Sequence, residues 1–172
     1  MTKRITSKHA RQTPSGIWRV RPIAASDLDL LVLHRRRMWE DMGYTKRDGL
    51  DDADEVYKKW LGRMRKQKRL DGIVIEDESG TPLASGCVFL YEVHPRPGRP
   101  GPYEPYILSM YTEKRHRGRG LARAIVEELL RWSAARGYGA VFLHASDKGR
   151  PLYEKVGFVA GREMRWRAGG AR

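Results

Sequence analysis

The segment YILSMYTEKRHRGRGLA, from Tyr106 to Ala122, joins an apolar run, a basic loop and the start of a helical pattern. The apolar run, Ile107 to Tyr111, predicts a buried strand. The loop that follows contains two glycines, Gly118 and Gly120, among basic residues. Beyond the loop, apolar residues recur every three or four positions, which predicts a helix with one buried face. The segment therefore predicts a strand, a tight loop and a helix in succession.

Such a loop suits a phosphorylated ligand. The first N–H groups of a helix have no partner within the helix, and the helix dipole favours an anion beside them. Gly118 and Gly120 allow positive φ angles and a close approach of the backbone to phosphate. Arg117 and Arg119 are expected to add positive charge.

Three phosphate-binding patterns compete for this loop. A P-loop requires GxxxxGK[ST], and no Lys-Ser or Lys-Thr pair follows a glycine here. A dinucleotide-binding loop requires GxGxxG, but its third glycine would fall at Arg123. The pattern [RQ]-x-x-G-x-[GA] is met by Arg115, Gly118 and Gly120.

The third pattern resembles the pyrophosphate-binding loop of the GNAT superfamily of N-acetyltransferases. A second segment, Ser146 to Phe158, contains Leu152-Tyr153 and Gly157-Phe158 and resembles the LYxxxGF segment of that superfamily. The resemblance runs from Trp18 to Arg167. It implies an α/β (α+β) GNAT fold, with a central mixed, mostly antiparallel sheet flanked by helices in the order β-α-α-β-β-β-α-β-α-β.

With 172 residues, the chain is expected to form a single GNAT acetyltransferase domain over 16–168, after a basic flexible tail over 1–15. A short strand is expected at Ala140–Ala145 and a last strand from Phe158 onward. No apolar run approaches the roughly 20 residues that cross a membrane, so no membrane partner is expected. The single cysteine, Cys87, indicates a buried thiol and a cytoplasmic location.

The formal net charge of +13 supports a rival class, a basic nucleic-acid-binding module. The arginines are scattered, however, and neither zinc-ligand spacing nor an RNA-binding aromatic strand is present, so a nucleic-acid partner is not expected. The five histidines lack metal-ligand spacing, and no metal is expected. His144 lies in an apolar stretch and is predicted to be a core histidine.

The resemblance implies an acetyl-CoA-dependent N-acetyltransferase that moves an acetyl group to a primary amine by direct attack in a ternary complex. Its partners would be acetyl-CoA or CoA and an amine acceptor, either a small molecule or a protein amine. A homodimer is compatible with the sequence. A non-catalytic CoA-binding protein of the same fold remains the alternative.

The resemblance also assigns the site residues. Tyr153 is expected to act as general acid toward the leaving thiolate, and a backbone N–H near Met110 to bind the oxyanion. The general base is left open between Glu104, which lies eleven residues before Arg115, Glu92 and an ordered water. Cofactor contacts are expected at Met110, Tyr111, Thr112, Arg115, His116, Arg117, Gly118, Arg119, Gly120, Leu121, Ala122, Ser146 and Tyr153. Ser146 and Gly149 depart from the superfamily pattern, which often has Asn and Ala at these positions.

The acceptor is not determined by the sequence. Asp41, Glu92 and Glu104 near the expected mouth of the site would suit a cationic amine, such as a polyamine, an aminoglycoside or a protein amine. The positive surface would instead suit an acidic acceptor. Both classes stay open.

Overall fold

The computed structural model of the protein describes residues 9–13, 16–95, 97–98, 101–164 and 166. Within them, six strands and four helices follow one another along the chain. They are β1 His9–Thr13, β2 Gly16–Pro22, α1 Leu28–Asp41, α2 Leu50–Lys66, β3 Leu70–Glu76, β4 Pro82–Glu92, β5 Tyr103–Thr112, α3 Leu121–Ala134, β6 Phe142–Leu143 and α4 Arg150–Val156.

The six strands form one sheet in the order β1-β2-β3-β4-β5-β6. Each neighbouring pair from β1 to β5 is antiparallel, whereas β6 runs parallel to β5. The parallel pair results from the crossover through α3, because a strand that returns by a helix runs in its original direction. The predicted mixed, mostly antiparallel sheet is confirmed.

Helices cover both faces of the sheet. On one face, α3 packs Ile125 and Leu129 against strand residues such as Val88, and all three are fully buried. On the other face, Leu61 of α2 packs with residues that include Cys87, which is buried as predicted. Burying each such aliphatic side chain contributes about 1.5–3 kcal/mol, so the two layers fix the central strands from both sides. None of the described helices combines the length and apolarity needed to cross a bilayer.

The N-terminal segment differs from the prediction. The flexible tail was expected over 1–15, but residues 9–13 form β1 and pair with β2 from His9–Val20 to Thr13–Gly16. The sequence carried a signal for this hairpin, because Pro14-Ser15-Gly16 is a turn composition between two short runs. Residues 1–8 and 14–15 lie outside the described part, and the division into a tail and one domain otherwise stays a prediction.

The C-terminal part also differs. The strand expected at Ala140–Ala145 is reduced to Phe142–Leu143, and no strand forms in residues 158–164 and 166. The expected last strand is therefore wrong for these residues. Its apolar side chains, Val159, Met164 and Trp166, are exposed instead of buried. A segment with a short alternating pattern forms a strand only where a sheet edge offers both backbone partners and a covered face.

Candidate functional site

The β5 and β6 strands part soon after they meet. They pair only at Tyr106–Phe142 and Ile107–Leu143, whereas β5 continues to Thr112. Beside residues 108–112, β5 therefore has no strand partner on its β6 side within the described chain. Backbone groups on such an edge can bind an extended ligand as another strand would.

A bulge in β5 lies along this open edge. Ser85 pairs with Tyr111, but two residues later Cys87 pairs with Leu108, so β5 holds one extra residue in between. Ser109 lies there with a φ of 52°, which is unusual for a residue other than glycine. The extra residue at a bulge is left out of the ladder, so the backbone at Ser109 and Met110 is turned away from β4.

Two contacts support the bulge. The Tyr57 hydroxyl of α2 lies 2.8 Å from the Ser109 hydroxyl, in the buried interior. On β4, Gly86 leaves space for the Met110 side chain: a Cβ at Gly86 would collide with the Met110 sulfur and lie 2.7 Å from Cγ2 of Ile125. The bulge is thus held by a hydrogen bond on the α2 face and by a required glycine on the α3 face.

The basic loop after β5 has an open, amide-lined surface. Gly118 and Gly120 adopt φ angles of +74° and +80°, as predicted for this loop, and α3 begins at Leu121. The backbone N–H groups of these two glycines have no acceptor among the residues that the structure describes. A Cβ on either glycine would meet nothing within 4 Å. Together with the first N–H groups of α3, this surface fits a diphosphate.

The arginine side chains of the loop are partly engaged. Arg117 donates from Nε to the Thr112 carbonyl at 3.0 Å and forms an ion pair with Asp41 of α1. Arg119 contacts Nδ1 of His116 at 2.8 Å. The side chain of Arg117 therefore ties the loop to α1, and its expected contact with the cofactor stays a prediction. Arg115 is exposed.

Further contacts fasten helix α1 to the start of the loop. Lys114 lies 3.1 Å from Asp41, and burial of Asp41 is outweighed by hydrogen bonds from Arg117 and Lys114, which keep its pKa below the ordinary value. Two turns earlier in α1, the buried His34 holds the Ser85 hydroxyl at 2.8 Å with Nδ1 and approaches Oε1 of Glu113 at 3.3 Å with Nε2. These contacts fix the start of the loop against the end of the sheet, and they pair Asp41 with Lys114 and Arg117.

The buried His34 predicts an acid-sensitive step in stability. Burial lowers the pKa of His34 from 6.5 to about 4. Between those values the unfolded chain binds a proton that the folded chain does not, so the free energy of unfolding should fall by up to about 3 kcal/mol as pH drops through this window. Burial is outweighed by hydrogen bonds from basic side chains, which lower the pKa values of Asp27 and Asp41, so the stability that these aspartates contribute is lost mainly at lower pH than this window. Urea unfolding at several pH values between 7.5 and 4.5 measures the effect.

The variant His34→Gln should remove most of this pH dependence, because glutamine keeps hydrogen-bonding groups at the site but does not titrate. His94→Gln is the matched control, since His94 is exposed and should leave the slope unchanged. Equal slopes for wild type and His34→Gln between pH 6.5 and 4.5 would contradict the assignment.

A cavity of about 640 Å³ lies between α1 and the start of the loop. Its lining contains none of the residues Gly118 to Ala122, so it is separate from the amide-lined surface. The lining residues are Leu30, Leu33, His34, Arg37, Glu40, Asp41, Asp77, Thr81, Pro82, Leu83, Tyr111, Glu113, Lys114, Arg115 and His116. The side chain of Tyr111 lies on this α1 side, with its ring centroid 5.1 Å from that of His34.

Tyr153 lies on α4 and packs against the α3-side core. Its ring centroid is 5.8 Å from that of Phe158. Burial, and next the nearby Tyr106, raise the pKa of Tyr153, so its phenol stays protonated at neutral pH and can donate a proton. The Ser146 hydroxyl accepts the N–H of Gly149 at 3.2 Å, so Ser146 organises the start of α4.

The two glutamates expected as bases have different surroundings. Glu104 is buried on β5, and its Oε2 accepts a hydrogen bond of 2.8 Å from the Tyr91 hydroxyl. Glu92 lies at the exposed end of β4. Beside Glu104, the Tyr91 ring meets Tyr106 edge-on at 5.9 Å and Phe142 at 6.3 Å. Glu104 thus contacts one member of a group of three aromatic rings, next to the point where β5 and β6 part.

Several residues at this site were not predicted. His144 was expected in the core, but its side chain is 53% exposed, because β6 ends at Leu143. It contacts the Tyr106 hydroxyl. Tyr106 is the first residue of the Tyr106–Ala122 segment and His144 comes two positions before the Ser146–Phe158 segment, and this proximity is the signal that could have indicated them. The bulge at Ser109 and its partner Tyr57 left no local signal.

Solved structures resemble this fold over most of the chain. A GCN5-related N-acetyltransferase from Ralstonia eutropha JMP134 is 30% identical, with a TM-score of 0.80 over 89% of this chain and 99% of that one. A predicted acetyltransferase with acetyl-CoA from Clostridium acetobutylicum is 25% identical, with a TM-score of 0.79 over 87% of this chain and 95% of that one.

Sequence comparison agrees. A glucosamine 6-phosphate N-acetyltransferase from Trypanosoma brucei brucei is 35% identical over 74 residues, which are 42% of this chain and 50% of that protein. The chain thus matches about half the length of this curated relative. The profile of the Acetyltransferase (GNAT) family matches residues 34–158, which include the bulge, the loop and Tyr153. The chain belongs to the GNAT family of acetyltransferases.

Proposed function

We propose that this protein transfers an acetyl group from acetyl-CoA to a primary amine by direct attack in a ternary complex. The observation that carries the proposal is the bulge at Ser109–Met110 on the open edge of β5, followed on the same chain segment by the amide-lined loop. If the pantetheine arm of acetyl-CoA lies along β5 and its diphosphate binds the loop, the thioester lies at the bulge.

Each part of the cofactor has a matching surface. The N–H groups of Gly118, Gly120 and the first turn of α3 hold the pyrophosphate. The backbone at Met110, Tyr111 and Thr112 lies along the pantetheine arm, and the turned-out N–H at Met110 is the oxyanion donor. Acetyl-CoA supplies an activated acyl group with a thiolate as the leaving group. Tyr153 donates a proton to that thiolate.

The surroundings of Glu104 suit an ammonium group. A buried carboxylate attracts a cation by charge, and an aromatic ring nearby can add a cation–π interaction. We assign the binding of the amine to Glu104, because its carboxylate is buried next to the point where β5 and β6 part.

One relative indicates which class of acceptor to test first. The relative from Trypanosoma is a glucosamine 6-phosphate N-acetyltransferase, whose acceptor combines an amine with a phosphate. The net charge of +13 suits such an anionic amine. An amino-sugar phosphate is accordingly the first acceptor to test, ahead of polyamines, aminoglycosides and peptide amines.

The test has two stages. Calorimetry should show saturable binding of acetyl-CoA, and a panel of these amines should then be assayed by thiol release above the rate without an amine. Release with at least one amine is the expected result. Binding without release for any amine would favour a non-catalytic CoA-binding protein, whereas salt-dependent binding of DNA or RNA that acetyl-CoA does not affect would favour the nucleic-acid module.

A further inference from the structure

Three side chains form a hydrogen-bonded chain where β5 and β6 part. The Tyr106 hydroxyl contacts Nδ1 of His144, and Nε2 of His144 lies 3.3 Å from Oε1 of Glu163. Tyr106 comes from β5, His144 follows the last residue of β6, and Glu163 comes from the segment after α4. Three separate parts of the chain thus converge on one imidazole.

The partners of His144 determine where its protons lie. The Glu163 carboxylate can only accept, so Nε2 carries the hydrogen that points toward it. In the neutral imidazole, Nδ1 then keeps its lone pair, and the Tyr106 hydroxyl donates to it. A phenol that donates its own hydrogen can also accept one on the same oxygen.

Tyr106 is near both the assigned amine-binding residue and the assigned acid. It follows Glu104 by two positions on β5, so the two side chains leave the same face of the sheet. Its ring meets that of Tyr91, the hydrogen-bond partner of Glu104. On the other side it is near enough to Tyr153 to affect the ionisation of that phenol.

We propose that the chain Tyr106–His144–Glu163 accepts the proton that the amine must lose before it attacks. This inference rests on the proposed acetyl transfer. An N–H bond of the ammonium group breaks and leaves its electron pair on nitrogen as the nucleophile. The proton bonds to the Tyr106 oxygen while the hydroxyl proton of Tyr106 moves to Nδ1 of His144.

The resulting imidazolium faces the Glu163 carboxylate, which stabilises its charge. Because the side chain of His144 is 53% exposed, it can return the proton to water after each turnover. No oxidant, metal or further reactant is needed. A tyrosine alone is a poor base at neutral pH, so the imidazole behind it is what makes the route effective.

Two kinds of acceptor test this relay. His144→Gln should lower kcat/KM by about 100-fold with an acceptor that is an ammonium ion at neutral pH, within the range that general-base residues contribute. With aromatic amines or acylhydrazides, which are already unprotonated at that pH, the loss should be less than about 5-fold. Tyr106→Phe should follow the same pattern, and Glu163→Gln should follow it with a smaller loss.

The remaining rate of His144→Gln with an ammonium acceptor should rise with pH as the free amine forms. His94→Gln, at an exposed histidine, is the control and should behave as wild type with both acceptors. Retained acetyl-CoA binding shows that each variant is folded.

Equal losses with both kinds of acceptor would mean a structural role for His144 and would overturn the relay. Rescue by unprotonated amines in Glu104→Gln but not in His144→Gln would overturn it in favour of Glu104 as the base. If wild type acetylates no amine at all, the proposed function fails first and the relay fails with it. If wild type acetylates an amine but the variants do not show the expected pattern, the relay alone fails.

Discussion

Replacing Gly120 by valine should weaken acetyl-CoA binding by at least about 100-fold. Gly120 has a φ of +80° immediately before α3, where a β-branched residue is strained by roughly 1–3 kcal/mol. The loop can relieve that strain only by turning its N–H groups away from the ligand. Each charge-assisted hydrogen bond lost contributes about 1.5–3 kcal/mol, and about 2.7 kcal/mol corresponds to 100-fold in Kd. Calorimetric titration with acetyl-CoA measures the change.

Gly49→Val is the matched control for this variant. Gly49 also precedes a helix with a φ of +78°, and a Cβ there also meets nothing within 4 Å. Both variants should therefore lose similar stability in urea, but Gly49→Val should keep the wild-type Kd. If the two variants bind acetyl-CoA equally well, the loop does not hold the diphosphate.

This loop is the part of the site that sequence alone could predict. Two glycines between a strand pattern and a helix pattern determine the local backbone, because positive φ at these positions depends on residue type more than on distant contacts. The sheet and its two covered faces could also be predicted, because they follow from the spacing of apolar residues. The predicted strand–loop–helix is accordingly confirmed.

The bulge could not be predicted in this way. Ser109 takes a conformation that serine avoids. The features that accompany it come from distant parts of the chain: the Tyr57 hydroxyl on α2 and the space left by Gly86 on β4. His144 was assigned to the core for a related reason. Its neighbours are apolar, but β6 stops after two residues, and where a short strand stops depends on its partner.

The variant Tyr153→Phe should lower kcat by about 100-fold or more and change the Kd of acetyl-CoA by less than about 3-fold. The ring packs in the α3-side core, which phenylalanine preserves, so folding and cofactor binding should persist. The lost hydroxyl is the proton donor to the leaving thiolate, and general acids contribute about 10²–10⁴-fold. Since burial raises the pKa of Tyr153, wild type should keep this donor protonated into mildly alkaline solution.

Tyr138→Phe is the control for loss of a half-buried phenol elsewhere. Burial also raises the pKa of Tyr138, but its ring stacks on Trp132 at 6.4 Å, near the other end of α3. It should leave kcat unchanged. An acetyl thioester of a more acidic thiol should restore much of the rate of Tyr153→Phe, because a stabler thiolate leaves without a proton. If the variant is equally slow with both thioesters, Tyr153 acts by packing, and the acid must be sought in another residue or in water.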